Sequence, residues 1–180
     1  MITGKKIYLR AIEREDLERL KEWRNLSKFR KNFREYREIN TPMQEKWFDN
    51  IVVSDKNTVM FSICERETGQ LLGCCGLCYI NWIYRYADFS LYIGHEEAYI
   101  DQLGYAEEAC GLLIDYAFRQ LNLNKLWSEL YEFDTQKIEL YTIVGFKKDG
   151  YLRENYYCDG RWWGSYIVSI LHKEVFIGDQ

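Results

Sequence analysis

Apolar and polar residues alternate along the chain with a period that changes several times, and each change predicts an element of secondary structure. Residues 6–12 alternate with the period of two that is typical of a strand, and apolar residues at helical spacing follow them. A second helix is expected after Thr41-Pro42, because Thr caps helices well and Pro fits a first turn. An antiparallel meander is then expected from three strand-like runs at 58–64, 71–80 and 86–93.

The second half of the chain alternates helices with strands. Gly104 precedes a helical pattern over 105–121, a buried strand is expected at 125–133, and Asp134 caps a further helix that ends at Gly145. Extended structure closes the chain, and neither a linker nor a repeat interrupts it. We therefore expect one α/β domain over residues 1–180, with a mixed, mostly antiparallel sheet flanked by helices.

Charge and composition exclude some classes of function. The formal net charge of −4 argues against a nucleic-acid binder that relies on a dominant basic field, although a local basic patch is compatible with it. No run approaches the ~20 apolar residues of a membrane span, and the first residues lack the apolar core of a signal peptide. We expect a cytoplasmic protein with neither membrane nor nucleic acid as a partner. The aromatic content of 17% suits an aromatic-lined ligand cleft as well as a core.

Cysteine and histidine usage narrows the chemistry. Of six cysteines, only Cys74, Cys75 and Cys78 cluster, and no second pair matches them. Strand alternation places Cys74 and Cys78 on one face, so we interpret the cluster as buried, reduced thiols and expect no metal. With two histidines in the chain, catalysis has to use carboxylates and tyrosines.

Three stretches of the second half carry a resemblance to a known family: residues 101–109, 126–131 and 138–146. They resemble the GNAT acetyltransferases, and in particular the branch that contains the ribosomal-protein and spermidine acetyltransferases. The resemblance implies the GNAT fold, acetyl-coenzyme A (acetyl-CoA) as co-substrate, and direct transfer of an acetyl group to a primary amine. The protein is accordingly expected to be an acyltransferase.

The family binds the coenzyme diphosphate with a loop of pattern Q/R-x-x-G-x-G/A at a helix N-terminus, where free N–H groups and the helix dipole attract anions. Asp101 departs from this pattern, since Gln or Arg is usual there, and Leu103 departs from it as well, since Gly or Lys often appears at its position. Either Asp101 points away from the diphosphate or the cofactor binds less tightly. By the resemblance, the diphosphate is bound by Leu103, Gly104, Tyr105 and Ala106.

A neighbouring strand is expected to bind the pantetheine arm through its backbone. By the resemblance, the strand residues are Leu91, Tyr92 and Ile93, and Asp134 also belongs to the cofactor site. Because such binding is peptide-like pairing at an opening in the sheet, side-chain identity has little influence on it.

Amine acetylation has two proton-transfer tasks: the acceptor ammonium must lose a proton, and the departing thiolate benefits from gaining one. The resemblance implies Tyr141 as general acid, with a packed core aromatic as the alternative. Glu129 is the first choice for general base, because its apolar sequence neighbours would raise its pKa. Asp88 is the rival, either could be a structural carboxylate, and a water-relayed base is a further alternative.

The acceptor is left open by the sequence. Five basic residues and three aromatics alternate between Lys28 and Arg37, and Arg30, Arg34 and Arg37 suit an anionic acceptor. A solvated basic face is the equally weighted alternative. Trp23 and Arg24 lie in a short element that resembles amino-sugar nucleotide acetyltransferases, and they are further candidates for substrate binding. The acceptors considered are a nucleotide-linked amino sugar, a protein N-terminus and a small amine.

Two further hypotheses concern assembly and activity. The aromatic segment 156–163 could line the acceptor cleft or form a homodimer contact. Asp101 and Leu103 also motivate a rival function, a degenerate GNAT module that binds an acyl-CoA or a protein partner with little or no catalysis.

Overall fold

A computed structural model describes residues 1–176, which build an eight-stranded sheet in the order β1-β2-β3-β4-β5-β6-β8-β7. The strands are β1 (Ile2–Thr3), β2 (Ile7–Ala11), β3 (Val59–Glu65), β4 (Leu71–Asn81), β5 (Tyr86–Ile93), β6 (Lys125–Tyr131), β7 (Lys147–Cys158) and β8 (Arg161–Leu171). Neighbours run antiparallel except β5 and β6, which are parallel. The expected α/β architecture with a mixed, mostly antiparallel sheet is therefore confirmed.

Residues 1–176 also form six α-helices. They are α1 (Leu17–Asn25), α2 (Ser27–Arg30), α3 (Thr41–Trp47), α4 (Tyr105–Asp115), α5 (Thr135–Ile143) and α6 (His172–Val175). A 3-10 turn leads into α1, and wider turns at Phe48–Val53 and Tyr116–Gln120 extend α3 and α4. No helix within residues 1–176 combines the length and apolar character that a membrane crossing requires.

The two faces of the sheet carry different helices. Alternation along β3 turns Phe61 toward Tyr116, whose ring lies 5.4 Å away on the α4 side, and turns the next residue toward the α1 side. There the hydroxyl of Ser62 donates to Asp16 at 2.7 Å, and Arg10 donates to both oxygens of the same carboxylate at 2.6 and 2.8 Å. This nearly buried ion pair joins the entry of α1 to β2 and β3.

The parallel pair β5 and β6 is short, and this shortness creates the site. Three residue pairs align, from Tyr86 with Lys125 to Asp88 with Trp127, and the strands separate beyond them. Buried apolar residues from the strands on both sides of this splay belong to one hydrophobic core. The carboxyl-terminal half of β5 thus has an open edge beside β6, into which a ligand can pair.

Local signals in the sequence were largely correct, with one exception at the start of α3. The cap is Asn40, whose side-chain oxygen accepts from Met43 N at 3.0 Å, so Thr41 lies inside the helix rather than capping it. Asp134 caps α5 as expected, and Gly145 ends it with a φ of +101°, which favours glycine. The cysteines of residues 1–176 are free thiols, and no three His, Cys, Asp or Glu side chains there converge as metal ligands.

Candidate active site

A cavity of about 370 Å³ opens between helices α1 and α3, the segment 31–39 and the centre of the sheet. We call it the central cavity. Its floor includes the side chains of Cys74, Asp88 and Tyr92, which share one face of β4 and β5. The central cavity ends at the splay of β5 and β6. A molecule bound in the cavity would therefore contact a second ligand bound in the splay.

Asp88 stands at the apex of the splay, opposite the last paired residue of β6. Its side chain is nearly buried, and its carboxylate accepts from Arg34 at 3.0 Å. Burial raises the pKa of Asp88 above the usual value, although the positive charge of Arg34 opposes the shift. A carboxylate with a raised pKa is a stronger proton acceptor than an exposed aspartate, which is the property that a general base needs.

Glu129 lies two residues beyond the apex on β6 and lines the same cavity. Its carboxylate does not occupy the apolar setting that its sequence neighbours suggested. One oxygen accepts from Asn155 at 2.5 Å and from Ser165 at 2.6 Å, both on the β7–β8 hairpin, while Arg34 approaches the other at 3.8 Å. Strand alternation turns Glu129 away from its apolar neighbours and toward these donors.

Tyr141 lies beneath the central cavity rather than in its wall. Its ring is 1% exposed and packs on Phe89 and Phe146 at 5.5 and 4.9 Å between centroids. Its hydroxyl donates to Phe89 O at 3.3 Å, on the open edge of β5. Burial raises the pKa of Tyr141 well above its usual value, so the hydroxyl stays protonated and can act as a donor.

The N-terminus of α4 forms an anion site, and a carboxylate of the chain already occupies it. Gly104 caps the helix with a φ of +85°, which favours glycine. Asp101 accepts from Leu103 N, Tyr105 N and Ala106 N at 2.8, 2.9 and 2.7 Å. The idea that Asp101 points away is therefore wrong. The four loop residues Leu103, Gly104, Tyr105 and Ala106 have the geometry to bind a diphosphate once Asp101 is displaced.

The open edge of β5 has the geometry expected for a pantetheine arm. Phe89 O and Ile93 N both point away from β4, so the backbone of Leu91 between them points to the same side. The side chains of Leu91, Tyr92 and Ile93 are buried, and Ile93 N already donates to Tyr99 O at 2.8 Å. Leu91 is therefore the residue of the three whose backbone faces the open edge. The edge and the α4 anion site together fit a coenzyme A molecule.

A second cavity, of about 420 Å³, borders the other end of the splay. Asp134 lines it, caps α5, and accepts from the hydroxyl of Tyr99 at 2.7 Å. Asn32 lines both cavities, so the second cavity adjoins the central one. Asp134, which was expected at the cofactor site, therefore lies in a cavity beside the central one.

The five residues expected to bind the acceptor do not all reach the cavity. Arg24 and Arg34 line it, whereas Trp23 is buried in the core. Arg30 pairs with Glu38 at 3.5 Å, and Arg37 pairs with Glu35 at 2.7 Å on the surface. Arg30 and Arg37 are thus paired with acidic residues of their own segment, which supports the interpretation as a solvated face for these two residues.

Sequence reasoning missed Lys137. This side chain lines the central cavity, is 9% exposed, and lies one helical turn before Tyr141 on α5. Burial lowers its pKa, and Asp134 and Asp88 oppose that shift. The i, i+4 spacing from Tyr141 was a usable signal, because residues four apart share a helix face.

Comparison with known proteins identifies the family. The family described as Acetyltransferase (GNAT) domain matches residues 6–147. An uncharacterised N-acetyltransferase, p20 of Bacillus licheniformis, is 33% identical over 114 residues, which span 63% of this chain and 62% of that relative, under two thirds of its length. The spermidine N(1)-acetyltransferase of Vibrio cholerae is 29% identical over 157 residues, 86% of each chain.

A solved structure agrees with the sequence relatives. The crystal structure of spermidine N-acetyltransferase from Vibrio cholerae in complex with CoA and spermine superposes with a TM-score of 0.85 at 26% identity. The match covers 94% of this chain and 97% of that one. From the family match, the shared fold and the splayed site, the chain belongs to the GNAT family of N-acetyltransferases.

Proposed function

We propose that the protein transfers the acetyl group of acetyl-CoA directly to the primary amine of a small molecule in the central cavity. The observation that carries the proposal is the position of Asp88, a buried carboxylate with a raised pKa, at the apex of the splay. The acceptor cavity lies on one side of it, and the open edge of β5 extends beyond it. The family match and the CoA complex of the structural relative support acetyl-CoA as the donor.

In the proposed reaction Asp88 accepts a proton from the acceptor ammonium, directly or through a water molecule. The free amine forms a C–N bond to the acetyl carbon as the C–S bond breaks. Tyr141 donates its proton to the departing thiolate, and the second proton that the nitrogen loses as the amide forms restores the Tyr141 hydroxyl through solvent, while Asp88 releases its proton to solvent. Asp88 is favoured over Glu129 as the base, because Asn155 and Ser165 already donate to the Glu129 carboxylate.

The size of the cavity supports a small acceptor. Its ~370 Å³ falls at the lower end of the roughly 300–1,000 Å³ typical of small-molecule pockets. The V. cholerae relative is named a spermidine acetyltransferase, which is also a small-amine enzyme. A protein N-terminus, and a nucleotide-linked amino sugar larger than the cavity, are less well supported.

The test is release of coenzyme A thiol from acetyl-CoA across a panel of primary amines. We expect turnover by the native protein, loss of most kcat in Asp88→Asn, and a smaller loss in Glu129→Gln. Tyr141→Phe is expected to lower kcat with little change in the KM for acetyl-CoA. Unchanged kcat in both Asp88→Asn and Tyr141→Phe would overturn the proposed roles.

Asp101 favours a second candidate, a module that binds acyl-CoA or a partner with little catalysis, because its carboxylate occupies the position that a diphosphate would take. Calorimetry with acetyl-CoA separates the two. Binding together with thiol release supports the enzyme, whereas binding without release from any amine supports the module.

A further inference from the structure

Two cationic side chains face the central cavity without a counter-ion. Arg24 enters from α1 with its guanidinium 4.5 Å from the centre of the Phe33 ring, and its buried Nε has no hydrogen-bond acceptor. Lys137 enters from α5 with its ammonium 5.0 Å from the centre of the Tyr99 ring. Neither forms an ion pair with any residue of the described chain, 1–176.

The carboxylates that line the cavity are already engaged. Asp88 and Glu129 both face Arg34, at 3.0 and 3.8 Å, and Glu35 pairs with Arg37. Buried charges in proteins are ordinarily paired, because an isolated ion loses its hydration without compensation. Arg24 and Lys137 therefore add positive charge to the cavity that no direct ion pair within residues 1–176 balances, and an anionic ligand would balance it.

Arg24 and Lys137 are close enough to affect each other. Burial lowers the pKa of Lys137, and the charge of Arg24 lowers it further, against the opposing effect of Asp134 and Asp88. Repulsion between two cations in one cavity is relieved when an anion binds between them. Gln44, 4% exposed, lines the same cavity and adds an uncharged donor.

We propose that the acceptor amine carries an anionic oxygen group, a carboxylate or a phosphate, and that Arg24 and Lys137 bind this group while the amine faces Asp88. This inference rests on the proposed function. A guanidinium from α1 and an ammonium from α5, both lining one cavity, match the several lone pairs of either anion. A polyamine would instead bring further positive charge to these cations, so the preference differs from that in the name of the V. cholerae relative.

Matched pairs of acceptors test the inference. O-phosphoethanolamine and β-alanine are compared with ethanolamine, propylamine and spermidine by thiol release from acetyl-CoA. Charge-assisted hydrogen bonds contribute about 1.5–3 kcal/mol, so kcat/KM is expected to be roughly tenfold or more higher for the anionic member of a pair. The phosphate and carboxylate arms show which anion is preferred.

Variants connect the preference to the two residues. In Lys137→Met and in Arg24→Met we expect the KM for the anionic amine to rise about tenfold, with the KM for acetyl-CoA unchanged. Arg30→Met is the matched control, because Arg30 pairs with Glu38 and does not line the cavity. Lys137→Arg, which keeps the positive charge, is expected to retain most of the preference.

Calorimetric titration of O-phosphoethanolamine and β-alanine gives a readout that does not need turnover. If these probes bind more tightly than ethanolamine and propylamine, and Lys137→Met abolishes the difference, the inference is supported whether or not any amine is acetylated. Absence of acetylation of every amine would overturn the proposed function but not the anion site. If spermidine is acetylated at least as well as the anionic amines, and Arg24→Met and Lys137→Met change neither preference, the inference is overturned while the proposed function stands.

Discussion

The carboxylate of Asp101 competes for the place of the cofactor diphosphate, and replacing it makes the sharpest test of the cofactor site. Asp101 accepts three backbone N–H groups at 2.7–2.9 Å at the start of α4. A phosphate that binds the same N–H groups has to displace this carboxylate or lie close to it. Asp101→Asn keeps an oxygen acceptor for the helix cap and removes the negative charge.

The size of the effect follows from Coulomb's law. Two unit charges about 5 Å apart repel by roughly 1–3 kcal/mol for effective dielectric constants between about 80 and 20. Removing the repulsion is expected to tighten coenzyme A binding by roughly 5- to 150-fold. The free protein should lose about 1 kcal/mol of stability, because a charged cap at a helix N-terminus becomes neutral.

Calorimetry with coenzyme A and with pantetheine measures the effect. Pantetheine lacks the diphosphate, so its affinity should be equal in the native protein and in Asp101→Asn. The control is Glu107→Gln, which removes one negative charge from the first turn of the same helix, where Glu107 is exposed. Equal coenzyme A affinity in Asp101→Asn and the native protein, or an equal gain in Glu107→Gln, would refute the reasoning.

Three further outcomes are expected. Asp16→Asn breaks the nearly buried pair with Arg10 and should lower the free energy of unfolding by about 3 kcal/mol, or Tm by roughly 6–12 °C in calorimetry. Burial raises the pKa of Asp16, but hydrogen bonds from Arg10, Glu13 N and Ser62 outweigh burial and lower it. The stabilisation by Asp16 is therefore present above pH ~4 and is lost as the pH falls through the lowered pKa. Lys137→Met should raise Tm at neutral pH, because the pKa of Lys137 is lowered in the folded protein and its buried charge costs stability there. The native protein becomes more stable as the pH rises toward 10.5, so the difference in Tm between Lys137→Met and the native protein should shrink. A difference in Tm that does not depend on pH would contradict the lowered pKa of Lys137. Arg34→Met should move the acidic limb of the kcat/KM profile to higher pH, because Arg34 holds down the pKa of Asp88; an unmoved limb would count against Asp88 as base.

Local sequence signals were sufficient for the order of the elements. Hairpin-connected strands such as β3, β4 and β5 alternate visibly, and the caps at Asp134 and Gly145 depend on neighbours a few residues away. These features depend on interactions between residues that are close in the sequence, so the sequence alone predicts them. For the same reason the position of the α3 cap was missed by one residue, since Asn40 and Thr41 are both good caps.

The charge pairing of the site could not be predicted from spacing alone. Arg34 meets Asp88 across 54 positions of the chain, and Ser165 meets Glu129 across 36. Such contacts depend on how the segment 31–39 and the β7–β8 hairpin pack on the sheet. Sequence neighbours therefore suggested an apolar environment for Glu129, whereas the partners that surround its carboxylate come from distant strands.

The connection between β2 and β3 bears on how the acceptor preference of this enzyme can change. These strands are antiparallel neighbours, which a two-residue turn could join, yet residues 12–58 intervene and carry α1, α2 and α3. This excursion supplies Arg24, Arg34 and Gln44 to the cavity, while the residues predicted to bind the coenzyme all follow β4. Substitutions within this one continuous segment therefore reshape much of the acceptor cavity, whereas Lys137 on α5 and Asp88 at the apex of the splay stay in place.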